Sequence, residues 1–158
     1  MNKYQKISFL LLRLSLGWLM FYAGITKVLN PEWSAKGYLE NAKSLTEFYA
    51  LLANPNILPI IDFISQFGLT ILGVSLILGI GVRLSSSMGA VLMLLFYLPI
   101  LEFPYPNAHS FIVDEHIIYM FVLIFLASSR AGRVWGIENW FSHLPIIKNA
   151  KNMHLWWG

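Results

Sequence analysis

Asp114, Glu115 and His116 place two carboxylates and an imidazole at the mouth of an apolar run that carries no charge from Ile117 to Ser129. An imidazole exchanges a proton near neutral pH, and a carboxylate beside it in space fixes its tautomer. His116 is therefore the best single candidate for proton transfer, with Asp114 as its orienting partner. The same residues also suit a plainer role, in which two acids complement a helix N-terminus and one histidine sits at an interface. Successive helical residues differ by about 100°, so the three cannot all face one way. One or two look inward and the others meet water. Glu102 and His109 lie shortly before them, which brings five ionisable groups within 15 residues.

A second group lies near the N-terminus. Arg13, Gly17, Met20, Gly24 and Lys27 follow at spacings of 4, 3, 4 and 3, which keeps them within an arc of about 80° on a helix. The glycines allow a neighbouring helix to approach closely. Arg13 and Lys27 then point into one seam, where they could line a site for an anionic ligand or a redox headgroup; equally, each could extend its charge to the nearer membrane surface. Further along, Asp62 and Gln66 share a face. Asp62 suits capping or pairing, and Gln66 suits either a ligand or an inter-helix hydrogen bond.

These residues need elements to hold them, and composition says which. The chain has 158 residues, of which 57% are hydrophobic and 12% charged, with a mean hydropathy of +0.62. Residues 63–82 and 84–101 form uncharged runs of 20 and 18 residues, and about 20 helical residues cross a hydrocarbon core of about 30 Å. The reading is all-α: a polytopic membrane protein built as a four-helix bundle in a single domain over 1–158. The spans are expected at about 6–29, 57–81, 84–101 and 111–129, with an interfacial tail over 134–158. Gly79-Ile80-Gly81 supplies a helix stop and a tight return between the second and third spans. Residues 30–54, which hold Trp33, Tyr38, Phe48 and Tyr49, read as short amphipathic helices or as an aromatic belt at the interface.

Charge orients the spans. Eight of the eleven basic residues fall on the side of the termini and the 82–84 turn, against a single acid, Glu138. By the positive-inside rule that side is cytoplasmic, and the 114–116 cluster faces outward. The basic pI of about 9.2 thus reflects topology, and no nucleic-acid partner is expected. Without cysteine the chain has no disulfide, thiolate-ligated cluster or dithiol relay. His109 and His116 are seven apart with no helix-matched second ligand, so neither metal nor haem is expected. No phosphate loop or serine nucleophile motif is present.

The pattern Arg13-x3-Gly17-x3-Phe21-x2-Gly24-x2-Lys27 resembles the first-helix signature of the DoxX/DoxD-like membrane proteins. Trp33-Ser34-Ala35-x-Gly37-Tyr38-Leu39, Gly73-x5-Gly79-x3-Arg83, Asp114-x-His116-Ile117 and Gly132-Arg133-x2-Gly136 resemble the DoxD-type branch. The likeness covers about residues 7–140. It implies a four-helix membrane bundle and, for the DoxD type, a membrane subunit of thiosulfate:quinone oxidoreductase that works with a DoxA-like subunit. Quinone would then be a substrate, bound near Arg13, Lys27, Gln66, Glu102 and Trp33, with His116 and Asp114 catalytic. The family often carries an acid early in the second helix, where this chain has Leu69, with Gln66 one turn earlier. The alternative is a non-enzymatic membrane module that binds a small hydrophobic molecule or scaffolds a redox partner. The lipid bilayer is a partner on either reading, and the glycine stripes are compatible with a homo-oligomer.

Overall fold

The computed structural model describes residues 2–129 and 131–137. Within them the chain forms α1 (Lys3–Val28), α2 (Lys36–Glu40), α3 (Thr46–Leu52), α4 (Leu58–Leu78), α5 (Val82–Ile100) and α6 (Glu115–Ser128), then a 3-10 turn at Ala131–Arg133. Three of these helices are long and apolar enough to cross a membrane, and α6 is a shorter apolar helix. About a third or less of each long span's apolar window is buried inside the molecule. The remainder, including Trp18, Ile71 and Phe121, is exposed, as lipid contact requires. This is an integral membrane protein with a four-helix bundle.

Local sequence explains most of the boundaries. Asn2 and Gln5 exchange side-chain and backbone hydrogen bonds in a capping box that opens α1. Gly79 and Gly81 both adopt left-handed backbone, with φ of 69° and 58°, so α4 ends and α5 begins within three residues. The second and third spans therefore meet at 79–81, where Gly79-Ile80-Gly81 implies a return, and residues 82–84, expected in the turn, already belong to α5. The fourth span starts at Glu115, not near 111. Residues 101–114 are spent on a loop containing Pro104 and Pro106, Ile112 has φ of 58°, and only at Asp114 does a side chain cap the helix. The expected interfacial tail lies outside the described residues beyond Ile137.

The seam predicted on α1 is the buried one: Arg13, Leu16, Gly17, Met20 and Gly24 all face inward. It packs antiparallel on α4. Gly73 lies so close to α1 that a Cβ there would sit 2.3 Å from the Phe21 nitrogen, and one at Gly24 would sit 2.4 Å from the Thr70 nitrogen. Such contacts stabilise a membrane bundle by dispersion between backbones, because lipid offers no hydrophobic drive. α6 packs on α5, and the core formed by Leu16, Leu72, Leu76, Met93, Leu123 and Leu126 joins all four spans. Phe9 stacks on Phe125 with ring centroids 5.0 Å apart, closing α1 against α6. Between α4 and α5 a groove of about 740 Å³ remains, lined by residues such as Ile71, Leu78, Met88 and Leu92.

Residues 30–57 form a lid over one end of the bundle. Its inner face is a small core of Ala35, Leu39, Tyr49 and Ala53 packed on Leu58, Ile61 and Leu98, while Leu45, Phe48 and Leu51 face outward. What holds it is the frayed end of α5. Pro99 has no N–H to give the Leu95 carbonyl four residues earlier, and the Tyr49 hydroxyl donates to that oxygen instead, at 3.0 Å. The Tyr38 hydroxyl donates to the Phe96 carbonyl, Ser44 to that of Leu98, and the Lys43 N–H to that of Pro99 at 2.7 Å. Carbonyls that a helix terminus leaves without partners thus become the latch for the lid. On the other side, Asp62 of α4 accepts the Ala35 N–H at 2.7 Å.

Candidate functional site

Asp114 is the N-cap of α6, in extended backbone, so the helical arc does not apply to it. Its Oδ1 accepts the N–H groups of His116 at 3.0 Å and Ile117 at 3.3 Å. Its Oδ2 lies 2.7 Å from Nδ1 of His116. The carboxylate is buried, with 1% of its side chain exposed against 22% for the imidazole. Glu115 points to solvent or lipid headgroups, being exposed. With a carboxylate on Nδ1, the proton of neutral His116 resides on Nδ1 and the Nε2 lone pair is free to accept. The arrangement can take up or release one proton at Nε2 while Asp114 holds the ring at Nδ1.

Aromatic residues surround this pair. The ring of Phe96 meets the His116 imidazole edge to face at 6.5 Å, and the Tyr97 hydroxyl donates to the Ile112 carbonyl, tying the chain that leads into Asp114. Burial first, then Tyr49 and Asp114, push the Tyr38 phenol above the ordinary tyrosine range. Tyr38 therefore stays neutral and keeps its hydrogen bond to α5. Phe96 and Tyr97 did not stand out in the sequence, because a Phe or Tyr in an apolar span is ordinary. For Tyr49 of the lid the signal was Pro99, which leaves the Leu95 carbonyl in need of a donor.

Heights along the bundle show which of the expected residues lie level with one another. Gly17 packs beside Ile77, Phe21 beside Gly73 and Gly24 beside Thr70, a register that sets Gln66 level with Val28 and so with Lys27. Gly89 meets both Leu72 and Leu123, and Phe96 faces His116. Lys27, Gln66, Phe96 and His116 thus occupy one layer beneath the lid. Lys27 donates to the Ala23 carbonyl at 2.7 Å and lies 5.5 Å from the centroid of the Trp33 ring, an electrostatically favourable stack. Trp33 itself packs against the lid core.

Two expected residues are placed elsewhere. Arg13 does not share the seam's open end with Lys27. The two are 14 residues apart on α1, about 21 Å by helix rise, and Arg13 is fully buried at the opposite end. Its guanidinium donates to the carbonyls of Ala131 at 2.7 Å, Val134 at 3.1 Å and Trp135 at 3.4 Å, clamping the chain after α6 to α1. Glu102 is exposed, in a tight turn where its backbone pairs with Tyr105. His109 is exposed as well. Among the described residues no three His, Asp or Glu side chains gather around a point that would hold a metal ion.

The glycine-seamed bundle that carries these residues matches one known family over most of its helices. The DoxX family model matches residues 8–100, well over half of the chain. The chain belongs to the DoxX family. Among curated proteins and among solved structures, nothing matches it. The match spans α1, the lid, α4 and α5. It therefore covers the seam, Lys27, Trp33 and Gln66, and stops short of the Asp114–His116 pair at the start of α6.

Proposed function

We propose that this DoxX-family protein is a quinone-linked oxidoreductase subunit of the thiosulfate:quinone type. It would sit in the inner (cytoplasmic) membrane with its termini cytoplasmic and its lid outward, the orientation favoured by the basic residues. The observation that carries the reading is the Asp114–His116 pair: a buried carboxylate 2.7 Å from a histidine nitrogen, in a layer shared with a cation and an amide and open to aromatic neighbours. A quinone needs a proton donor at its carbonyl, and the His116 imidazole held by Asp114 supports the reading as that donor.

The chemistry balances as follows. Two thiosulfate ions each lose one electron and join as tetrathionate through a new sulfur–sulfur bond. The quinone takes up the two electrons and two protons to become the hydroquinone. Protonated His116 supplies one proton from Nε2 and water on the lid side the other, while Asp114 holds the imidazole. Lys27 attracts the anionic donor or stabilises charge developing on the quinone oxygen, and Gln66 and Trp33 flank it. A DoxA-like subunit is the natural partner for donor capture.

The apolar groove between α4 and α5 favours a second reading, a non-enzymatic module that binds a small hydrophobic molecule or scaffolds a redox protein. One experiment separates them. The protein is purified in a lipid disc, bound quinone is extracted, and thiosulfate-dependent quinone reduction is measured with and without the partner subunit. His116→Ala and Lys27→Ala should lower the rate while the bundle stays folded. Full activity in both variants removes these residues from the mechanism, and absence of turnover with the partner present leaves the binding module.

A further inference from the structure

α6 is short for a spanning helix. Its 14 residues cover about 21 Å, against about 30 Å of hydrocarbon. Most of the shortfall lies at the lid end. Phe96 and His116 face each other at one height, so α6 begins about one turn below the end of α5 at Ile100. Something other than helix must complete the fourth crossing on that side.

The loop between α5 and α6 is built for that place. Phe103, Tyr105 and Phe111 are 80%, 60% and 62% exposed, and Ile112 and Val113 are 43% and 49% exposed. Tyr105 and Phe111 meet ring to ring at 5.7 Å, which sets these two side chains together. Asn107, Ala108 and His109, also exposed, form the loop's polar tip. Non-helical backbone is tolerated at membrane depth only where its polar groups are satisfied internally. Here the Tyr105 N–H donates to the Glu102 carbonyl at 2.7 Å, the Ile112 N–H to that of Pro104 at 2.8 Å, and the Val113 N–H to that of Phe111 at 2.6 Å. The Tyr97 hydroxyl covers the Ile112 carbonyl, and Pro104 and Pro106 have no N–H to satisfy. Beyond the exposed carboxylate of Glu115, an exposed apolar face continues along α6 at Ile118, Phe121 and Phe125, whose spacing of three to four keeps one side toward lipid.

We infer that the edge formed by Phe103, Tyr105, Phe111, Ile112 and Val113 is a membrane-embedded surface that sits in the acyl-chain border of the leaflet on the lid side. It supplies the part of the fourth crossing that α6 does not reach. The loop is an interfacial anchor that leaves its 107–109 tip in water and holds the Asp114 cap at the headgroup border, where Glu115 still reaches water. This placement does not depend on any redox activity.

Single cysteines are introduced one at a time at Phe111, Val113, Ala108 and His109, in a chain that has none of its own, and spin-labelled in lipid discs. Power-saturation measurements compare collisions with oxygen, which concentrates in hydrocarbon, and with a water-soluble nickel chelate. Labels at 111 and 113 should be reached mainly by oxygen, and labels at 108 and 109 mainly by the chelate. Chelate access at 111 and 113 equal to that at 108 would overturn the inference. So would shielding from both reagents together with spin–spin broadening that vanishes on dilution with unlabelled protein, because a second copy would then cover the edge. Each labelled variant is compared with the parent by size-exclusion profile and melting temperature. A variant that departs from the parent is replaced by a label at Tyr105, to which the same two outcomes apply.

Discussion

Asp114→Asn separates the structural role of this residue from its chemistry. Oδ1 accepts two backbone N–H groups and Oδ2 faces Nδ1 of His116. Asparagine will turn its carbonyl oxygen to the two N–H donors, since the reverse would set donor against donor. Asn and Asp cap helices about equally well, whereas alanine costs about 1 kcal/mol. The asparagine variant should therefore melt within a few degrees of the parent. Its amide NH2 then occupies the place of Oδ2 and donates to Nδ1, so the proton of His116 moves to Nε2. An imidazole protonated there cannot accept, and its imidazolium has lost the carboxylate, an interaction of about 1.5–3 kcal/mol for a hydrogen bond to a charged group. General acid–base catalysis contributes about 10²–10⁴-fold, so quinone reduction should fall by at least about 10². Nitrogen-15 NMR of labelled histidine reads the tautomer directly and needs no substrate. Unchanged Nδ1 and Nε2 shifts in the variant would refute the orientation argument, and a normal rate with a switched tautomer would remove His116 from proton transfer.

Other expectations follow from the packing. Tyr49→Phe removes the donor to the Leu95 carbonyl and should destabilise the docked lid by about 1–3 kcal/mol. Pro99→Ala restores a helical N–H to that carbonyl, so the double variant should recover most of the loss, and strictly additive effects in thermal melts would exclude the latch. Gly73→Ala forces a methyl against the Phe21 backbone and should cost about 1–3 kcal/mol by overpacking, whereas Gly37→Ala, with open space around it, should be neutral in the same unfolding assay. Burial raises the phenols of Tyr38 and Tyr49. Their contribution to lid docking should therefore be complete below the ordinary value of about 10 and decline as pH rises beyond it. Protease cleavage within 40–46 should then increase at alkaline pH in the parent, and the pH dependence should be absent in the Tyr38→Phe, Tyr49→Phe double variant. A cysteine at Lys43 should react with an impermeant reagent from outside intact cells and one at Lys3 should not; the reverse pattern would invert the topology.

Hydropathy and helical period are local properties, and they were enough for the spans, the glycine seam, the 79–81 turn and the lid as a separate layer. The pairing of Asp114 with His116 was also legible, because the partners are two residues apart and a cap places them. Arg13 was not. Its type and position fitted a ligand site and an interfacial charge equally, and its acceptors lie 118 to 122 residues further along the chain. Gln66 joined the layer of Lys27 and His116 only through the antiparallel register of α1 on α4, which close approach at Gly24 and Gly73 sets. Tyr38 and Tyr49 acquired roles as donors to carbonyls near the end of α5, and Phe96 and Tyr97 acquired theirs only when α6 and its entry packed against α5. Composition by itself determined that this chain lives in a membrane and marked its apolar helices, although the start of the fourth at Glu115 was set by the loop and the Asp114 cap. Which polar groups face one another was decided in three dimensions, because a buried charge or carbonyl is satisfied by whatever packing brings near, and sequence distance does not limit that choice.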